Sequence, residues 1–244
     1  MKLCRLLLFI GLSLSVVLAE AAADLPKNLT TSDQIRALEI LGLGTSSKVL
    51  DNPYPLGGYT GFEVGLTSEF IPMEDLSKLG SKTSDSGEFN YYTLTLGKGL
   101  YYNVDTLFYF TPAIQTQKVQ SFGGQVRWGF YEASFFPISF SAMAYAGGAN
   151  FSNLINVTTL GFDLIATVAI DNVALYFGEG RINAQGTFIG GADGITATKE
   201  TEKQYVTEAH TLAGLNVNIA KFFVALEIDR YVDSVYSGKL GFRF

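Results

Sequence analysis

Between Tyr59 and Phe244 the chain alternates apolar residues with polar or small ones in segments of about ten residues. Nowhere in that stretch is there a run of roughly twenty apolar residues, the length a spanning helix needs. Side chains alternate across a β-strand, so each segment has one apolar face and one polar or glycine-rich face. Ten such segments can be read. In the first, Phe62, Val64, Leu66 and Phe70 oppose Gly61, Glu63, Gly65 and Glu69. In the sixth, Leu160, Phe162, Leu164 and Val168 oppose Gly161, Asp163 and Thr167. In the ninth, Phe222, Val224, Leu226 and Ile228 oppose Glu227 and Asp229.

The connections alternate as well. Those after the second, fourth, sixth and eighth segments are short: 97–100, 131–135, 171–172 and 220–221. Those after the first, third, fifth and seventh are longer: 71–87, 112–118, 148–156 and 183–204. The connection after the ninth, 230–234, breaks the rule by being short. Short turns on one side and long loops on the other predict an all-β, up-and-down antiparallel transmembrane barrel of about ten strands, both termini on the short-turn side. Within loop 183–204, Gly191-Ala-Asp-Gly194 between two β-prone runs predicts a projecting hairpin.

Composition supports this reading over a soluble sandwich or lipocalin-like barrel, which would turn its apolar faces inward. Aromatic residues make up 14% of the chain and charged residues only 16%, against about a quarter in ordinary soluble domains. The faces opposite the apolar ones are rich in glycine rather than in Lys or Glu.

The last segment, Tyr236-Ser-Gly-Lys-Leu-Gly-Phe-Arg-Phe244, ends on an aromatic residue. It resembles the closing strand of bacterial outer-membrane β-barrels. That resemblance implies that Tyr236, Phe242 and Phe244 form the signal read by the barrel-insertion machinery. It also implies outer-membrane lipid as the surroundings of residues 59–244, in a bacterium of the Gram-negative type.

The N-terminus agrees with export. Lys2 and Arg5, an apolar stretch from Leu6 to Leu18 and the small residues Ala19-Glu-Ala-Ala-Ala23 read as a signal peptide over 1–23. Cleavage would remove Cys4, the one cysteine, which leaves no disulfide, thiolate metal site or cysteine nucleophile. No cofactor or metal site is expected. A net charge of −6 with a single histidine speaks against nucleic acid as a partner.

Residues 24–58 do not alternate. Thr31 or Ser32 is placed to cap a short helix ending at Gly42 or Gly44, with Ile35, Leu38 and Leu41 on one face. The segment is assigned to the periplasm, and three placements for its apolar face are open: the barrel rim, another protein, or the lumen as a plug. Lumen-facing glycines, Gly61, Gly65, Gly97, Gly123, Gly161 and Gly214 among them, leave space for such a plug or for water. They also serve to bend a small barrel.

The presumed lumen face carries Glu63, Glu69, Asp105, Arg127, Asp163, Arg181, Glu208, His210, Glu227, Asp229, Lys239 and Arg243. Charges in a narrow barrel are expected in paired networks, with Lys239 and Arg243 facing Glu63 and Glu69 across the seam. His210 lacks the His-x-Ser-Asn arrangement of lipid A deacylases and the paired aspartates of omptin proteases. It reads as a network member, with hydrolysis as the weaker alternative, and no enzyme is expected. The functions left are a narrow passage for small polar solutes or ions, a closed structural barrel, or a barrel acting in surface contact through loops 71–87 and 183–204.

Overall fold

The computed structural model describes residues 25–53, 55–83, 88–111 and 119–244; the signal peptide read over 1–23 lies outside them. Ten antiparallel strands close into one barrel in which each strand pairs with its sequence neighbours and β1 with β10. They are β1 (Phe62–Pro72), β2 (Glu88–Gly99), β3 (Val104–Phe110), β4 (Val119–Glu132), β5 (Ile138–Phe151), β6 (Ile155–Ile170), β7 (Val173–Phe188), β8 (Glu202–Ile219), β9 (Phe222–Arg230) and β10 (Ser234–Arg243). The seam is in register from Glu63 opposite Arg243 to Phe70 opposite Tyr236. Phe62 and Phe244 exchange backbone hydrogen bonds of 3.2 and 2.9 Å just beyond it.

The two faces of the wall follow the alternation. Phe108, Phe122, Trp128, Leu160, Leu164, Phe177, Leu226 and Leu240 are exposed on the outside. Glu63, Asp105, Arg127, Asp163, His210, Glu227, Asp229 and Lys239 are buried on the inside. Arg181 departs from expectation: it is exposed on the outer face of β7, with the parity of Phe177.

The glycines inside the barrel have a specific role. Tyr109 lies opposite Gly123, Tyr145 opposite Gly161, Tyr176 opposite Gly214 and Phe223 opposite Gly241. In all four pairs an odd-numbered strand gives the ring and the next even-numbered strand the glycine. A Cβ added at any of these glycines would collide with the ring facing it. The space read from the glycine pattern is therefore taken by flat aromatic rings from the neighbouring strand, an arrangement that fixes register while allowing a tight bend.

Two strands run farther than expected. β7 continues to Phe188 and β8 begins at Glu202, so the loop read as 183–204 contracts to 189–201. The connection read as 148–156 contracts to 152–154. In the extended part of β7 and β8 the alternation changes sign. Outward residues become polar (Arg181, Asn183, Lys203, Thr207), while Ile182, Ala184, Phe188 and Val206 are buried inside. This part of the wall follows the pattern of a water-exposed barrel and projects about 30 Å of strand past the apolar zone. The loop 189–201 is not a projecting hairpin. Ile195 is buried within the hydrophobic core, and Thr196 pairs with Leu29 in a parallel bridge.

Residues 25–53 and 55–56 occupy the lumen, the plug among the three placements left open, and the described chain starts at the long-loop end rather than at the short-turn end expected for both termini. The chain starts beside the long loops, where Ser81 N donates to Lys27 O (2.7 Å) and Leu29 N to Ile195 O (2.9 Å). Helix α1 (Thr31–Ala37) continues as a π-helical turn over Leu38–Leu43, with Gly44 as its C-cap. Its N-cap is Thr30, one residue before the expected Thr31 or Ser32, because Asp33 completes a capping box with it. The helix is buried on more than one face: Leu38, Ile40, Leu41 and Leu43 all join the core with Ile71, Phe151, Val157, Ile182 and Phe188 from the wall. A helix this short is unstable alone, and the apolar interior of the projecting wall supplies its packing.

Candidate functional site

The plugged lumen is the candidate site, and its contacts change in character from the long-loop end downward. At the top, the buried Gln34 of α1 bridges to β8: its Nε2 donates to Glu202 (2.8 Å), and its Oε1 accepts from Gln204 (2.9 Å). Arg36 donates to Asp75 (2.8 Å) in the β1–β2 loop and to Asp233 (3.0 Å) in the β9–β10 turn. One guanidinium thus ties the helix to two connections of the wall. The hydrogen bonds from Arg36, then from Lys78, hold the exposed Asp75 carboxyl below its ordinary range.

Below Gly44 the plug becomes an extended, polar segment. Ser46 shares a 2.6 Å hydrogen bond with Tyr231, and Ser47 donates to Gln125 (2.9 Å). Lys48 donates to the carbonyls of Gly44 (3.1 Å) and Ser46 (3.0 Å) and to Tyr231 (3.3 Å), and its Nζ lies 3.7 Å from Glu69. Glu227 accepts the backbone amides of Val49 (2.9 Å) and Leu50 (2.7 Å) and the hydroxyl of Tyr176 (2.6 Å). Arg127 grips Asp51 with both terminal nitrogens. At the short-turn end Leu56 N donates to Asp105 (3.0 Å). The internal cavity along this segment, beside Ser47, Lys48 and Gln125, is about 20 Å³, space for no more than about one water molecule.

Two groups of wall residues complete the interior. Across the seam Lys239 (2.6 Å) and Arg243 (2.7 Å) both donate to Glu63. The expectation for Glu63 holds, whereas Glu69 points higher in the lumen and takes Lys48 and the Tyr91 hydroxyl (2.7 Å) instead. His210 sits between Asp163 (Nδ1, 2.9 Å) and Asp229 (Nε2, 3.0 Å) and is stacked on the Tyr231 ring at 4.5 Å. All three titratable side chains are fully buried. A histidine held from both nitrogens and closed to solvent has no face for a substrate, so its work is to bind β6, β8 and β9 together. Glu208 does not join this network. It is half-buried on the inner side of β8 opposite Ile182, in the apolar upper part.

The plug segment, through residues Ser46 to Asp51 and Leu56, contributes about half of these pairs. Its role is not visible in strand periodicity because it forms no strand. The available signal was its polarity, Thr45-Ser-Ser-Lys48 and Asp51, next to wall charges that otherwise lack partners.

The inside–outside distribution decides what kind of barrel this is. Among the described residues no helix is long and apolar enough to cross a membrane. A closed wall of strands does so without an unpaired edge, and here it presents an apolar, aromatic exterior around an ion-paired interior.

The chain is a membrane-spanning β-barrel.

No protein-family model matches the sequence, and no curated protein matches it. Among solved structures it is similar to the N-terminal β-barrel domain of Pseudomonas aeruginosa OprF, with 12% identity and a TM-score of 0.41 over 77% of this chain and 99% of that one. It is also similar to Ail, the attachment invasion locus protein of Yersinia pestis, with 18% identity and a TM-score of 0.32 over 75% and 97%. The translocator domain of the autotransporter NalP from Neisseria meningitidis matches at 10% identity and a TM-score of 0.39, over 87% and 94%. At these values the account of this barrel rests on its own geometry.

Proposed function

We propose that this outer-membrane barrel is closed at rest and acts through its long-loop end, as a surface-contact protein. The observation that carries this reading is the occupation of the lumen by residues 25–53 and 55–56, bonded to the barrel from Leu29 at one end to Leu56 at the other. A passage for solutes needs a water-filled path. At that end the polar outer faces of β7 and β8 project, and the loop 189–201 caps the lumen, folded down onto Leu29. Liposome swelling with small sugars and amino acids tests closure: protein-containing liposomes should swell no faster than empty ones. Surface contact is tested on cells by replacing residues 190–199 with a short turn, which should lower attachment to surfaces or other cells while leaving barrel abundance unchanged.

A second reading, a gated channel, draws on the polar lower wall. Were the plug to leave, Glu63, Asp105, Gln125, Arg127, Glu227 and Lys239 would line a hydrated path. Swelling by the intact protein would favour this reading over closure.

A further inference from the structure

We propose that the outer wall of β6–β9 binds one phosphorylated lipid of the outer leaflet, its acyl chain in a groove and its phosphate on Arg181 and Arg230. Along three successive strands the outward face changes from apolar to polar at one row. On β7 it runs Val173, Leu175, Phe177 and then Glu179 and Arg181; on β8, Ile219, Val217, Leu215, Ala213 and then Thr211; on β9, Phe222 to Ile228 and then Arg230. Glu179 pairs with Thr211, and Thr211 with Arg230. On these three strands that row marks the upper edge of the apolar face, near headgroup depth, while on β6 the apolar face continues through Leu164, opposite Glu179, to Phe162, opposite Arg181.

Directly below it the wall is dented. Ala166, Phe177 and Ala213 are cross-strand neighbours, and Ile228 follows Ala213 in the same row. The two alanines, between Leu164 and Phe177, leave an outward groove of about 750 Å³ whose upper rim carries Glu179, Thr211 and Arg230. Its lining is apolar, and a groove of this size at lipid depth fits hydrocarbon.

The charges at the rim select the headgroup. Arg181 and Arg230 are exposed, and neither has an ion-pair or hydrogen-bond partner among the described residues. Arg181 pairs with Ala209 and Arg230 with Thr211. The two therefore flank β8 two residues out of row, about 12 Å apart at the backbone, a separation that two long arginine side chains can close around one phosphate. Glu179 beside them is the one carboxylate at the rim; with two guanidiniums against it the rim keeps a net positive charge. Basic residues at the membrane edge above an apolar groove are the chemistry that recognises phosphorylated lipid headgroups.

Assignment to the outer leaflet rests on reading the long-loop end as external, and that orientation is tested separately by cysteine labelling below. The test uses the full-length refolded protein in detergent, with bisphosphorylated lipid A and its dephosphorylated form as probes, read by native mass spectrometry. One lipid A per barrel is expected on the wild type. Retention should fall by at least about tenfold in the double variant R181A/R230A, and dephosphorylated lipid A should bind as weakly. A213F, which fills the groove without touching either arginine, should also lower retention. All three positions face outward, so heat-modifiable mobility on gels checks that the variants are folded. Equal retention by wild type and R181A/R230A overturns the proposal, as does equal retention of the dephosphorylated probe. A stable dimer dissociated by A213F would instead assign the groove to a second copy of the chain.

Discussion

Arg127 on β4 holds Asp51 of the plug through two nitrogen–oxygen contacts, and both side chains are shut off from solvent. This pair lies in the charged lower lumen, beyond the point at Gly44 where the plug turns polar. Its partners come from residues far apart in sequence, so it forms only when the segment is threaded. A charge left alone there would be buried and unpaired, which makes the pair a sensitive reporter of plug placement.

Removing one partner should be worse than removing both charges. Arg127→Ala should destabilise the folded barrel by roughly 3–5 kcal/mol, whereas the neutral pair Arg127→Gln with Asp51→Asn should lose clearly less. Urea unfolding in detergent, followed by tryptophan fluorescence, measures both. Equal losses for the single and double variants would count against a buried ion pair.

Glu227 predicts a local effect. It accepts two plug amides at once, and Glu227→Gln replaces one accepting oxygen with a donor. Hydrogen exchange at Val49 and Leu50 should rise by one to two orders of magnitude while β8 and β9 amides stay protected. Unchanged protection at these two residues would mean that packing, not the carboxylate, holds the segment.

The clamp at the top of the lumen predicts a pH effect. Asp75 is held below its ordinary range by Arg36 and then Lys78. A group lowered in the folded state contributes fully above its ordinary range, and that contribution fades as pH falls through the lowered value. Exchange at the amides of residues 36–39 should therefore increase in acid, below the ordinary carboxylate range. Asp75→Asn should already show the increase at neutral pH. A variant indistinguishable from wild type at both pH values would remove the clamp.

The ring-on-glycine pairs predict a stability pattern. Gly161→Ala and Gly214→Ala, each against a tyrosine ring, should destabilise by about 1–3 kcal/mol. Gly238→Ala, whose added carbon meets only ordinary contacts, should be nearly neutral. Thermal unfolding of the three variants separates them.

Much of the barrel was legible because a wall between lipid and a polar lumen imposes a period of two with fixed sign. The parity of Phe62 to Phe70, Phe222 to Ile228 and the closing strand all followed from that. The rule fails where the surroundings change. Above Phe177 water replaces lipid outside and the helix replaces polar groups inside, so the alternation inverts and Asn183–Phe188 read as loop. Arg181, grouped with the lumen charges, in fact shares the parity of Phe177 and lies outside. The plug was legible as a short helix, and its interior position only as one of three open placements, since its partners, Glu227, Gln125 and Arg127, are far away in sequence.

The direction of threading has a simple check. Single cysteines at Lys27 and Asp193 should react with a membrane-impermeant maleimide from the same side, the cell exterior, and one at Lys221 from the other side. Labelling of Lys27→Cys only together with Lys221→Cys would reverse the threading.

Single-channel recording reads directly whether residues 25–53 and 55–56 fill the lumen. The full-length refolded protein should give no stepwise current in a planar bilayer at moderate voltage. Deletion of Asp24–Asp51 should open a steady conductance in the same barrel. Stable current through the full-length protein, or a deletion that changes nothing, would contradict the account.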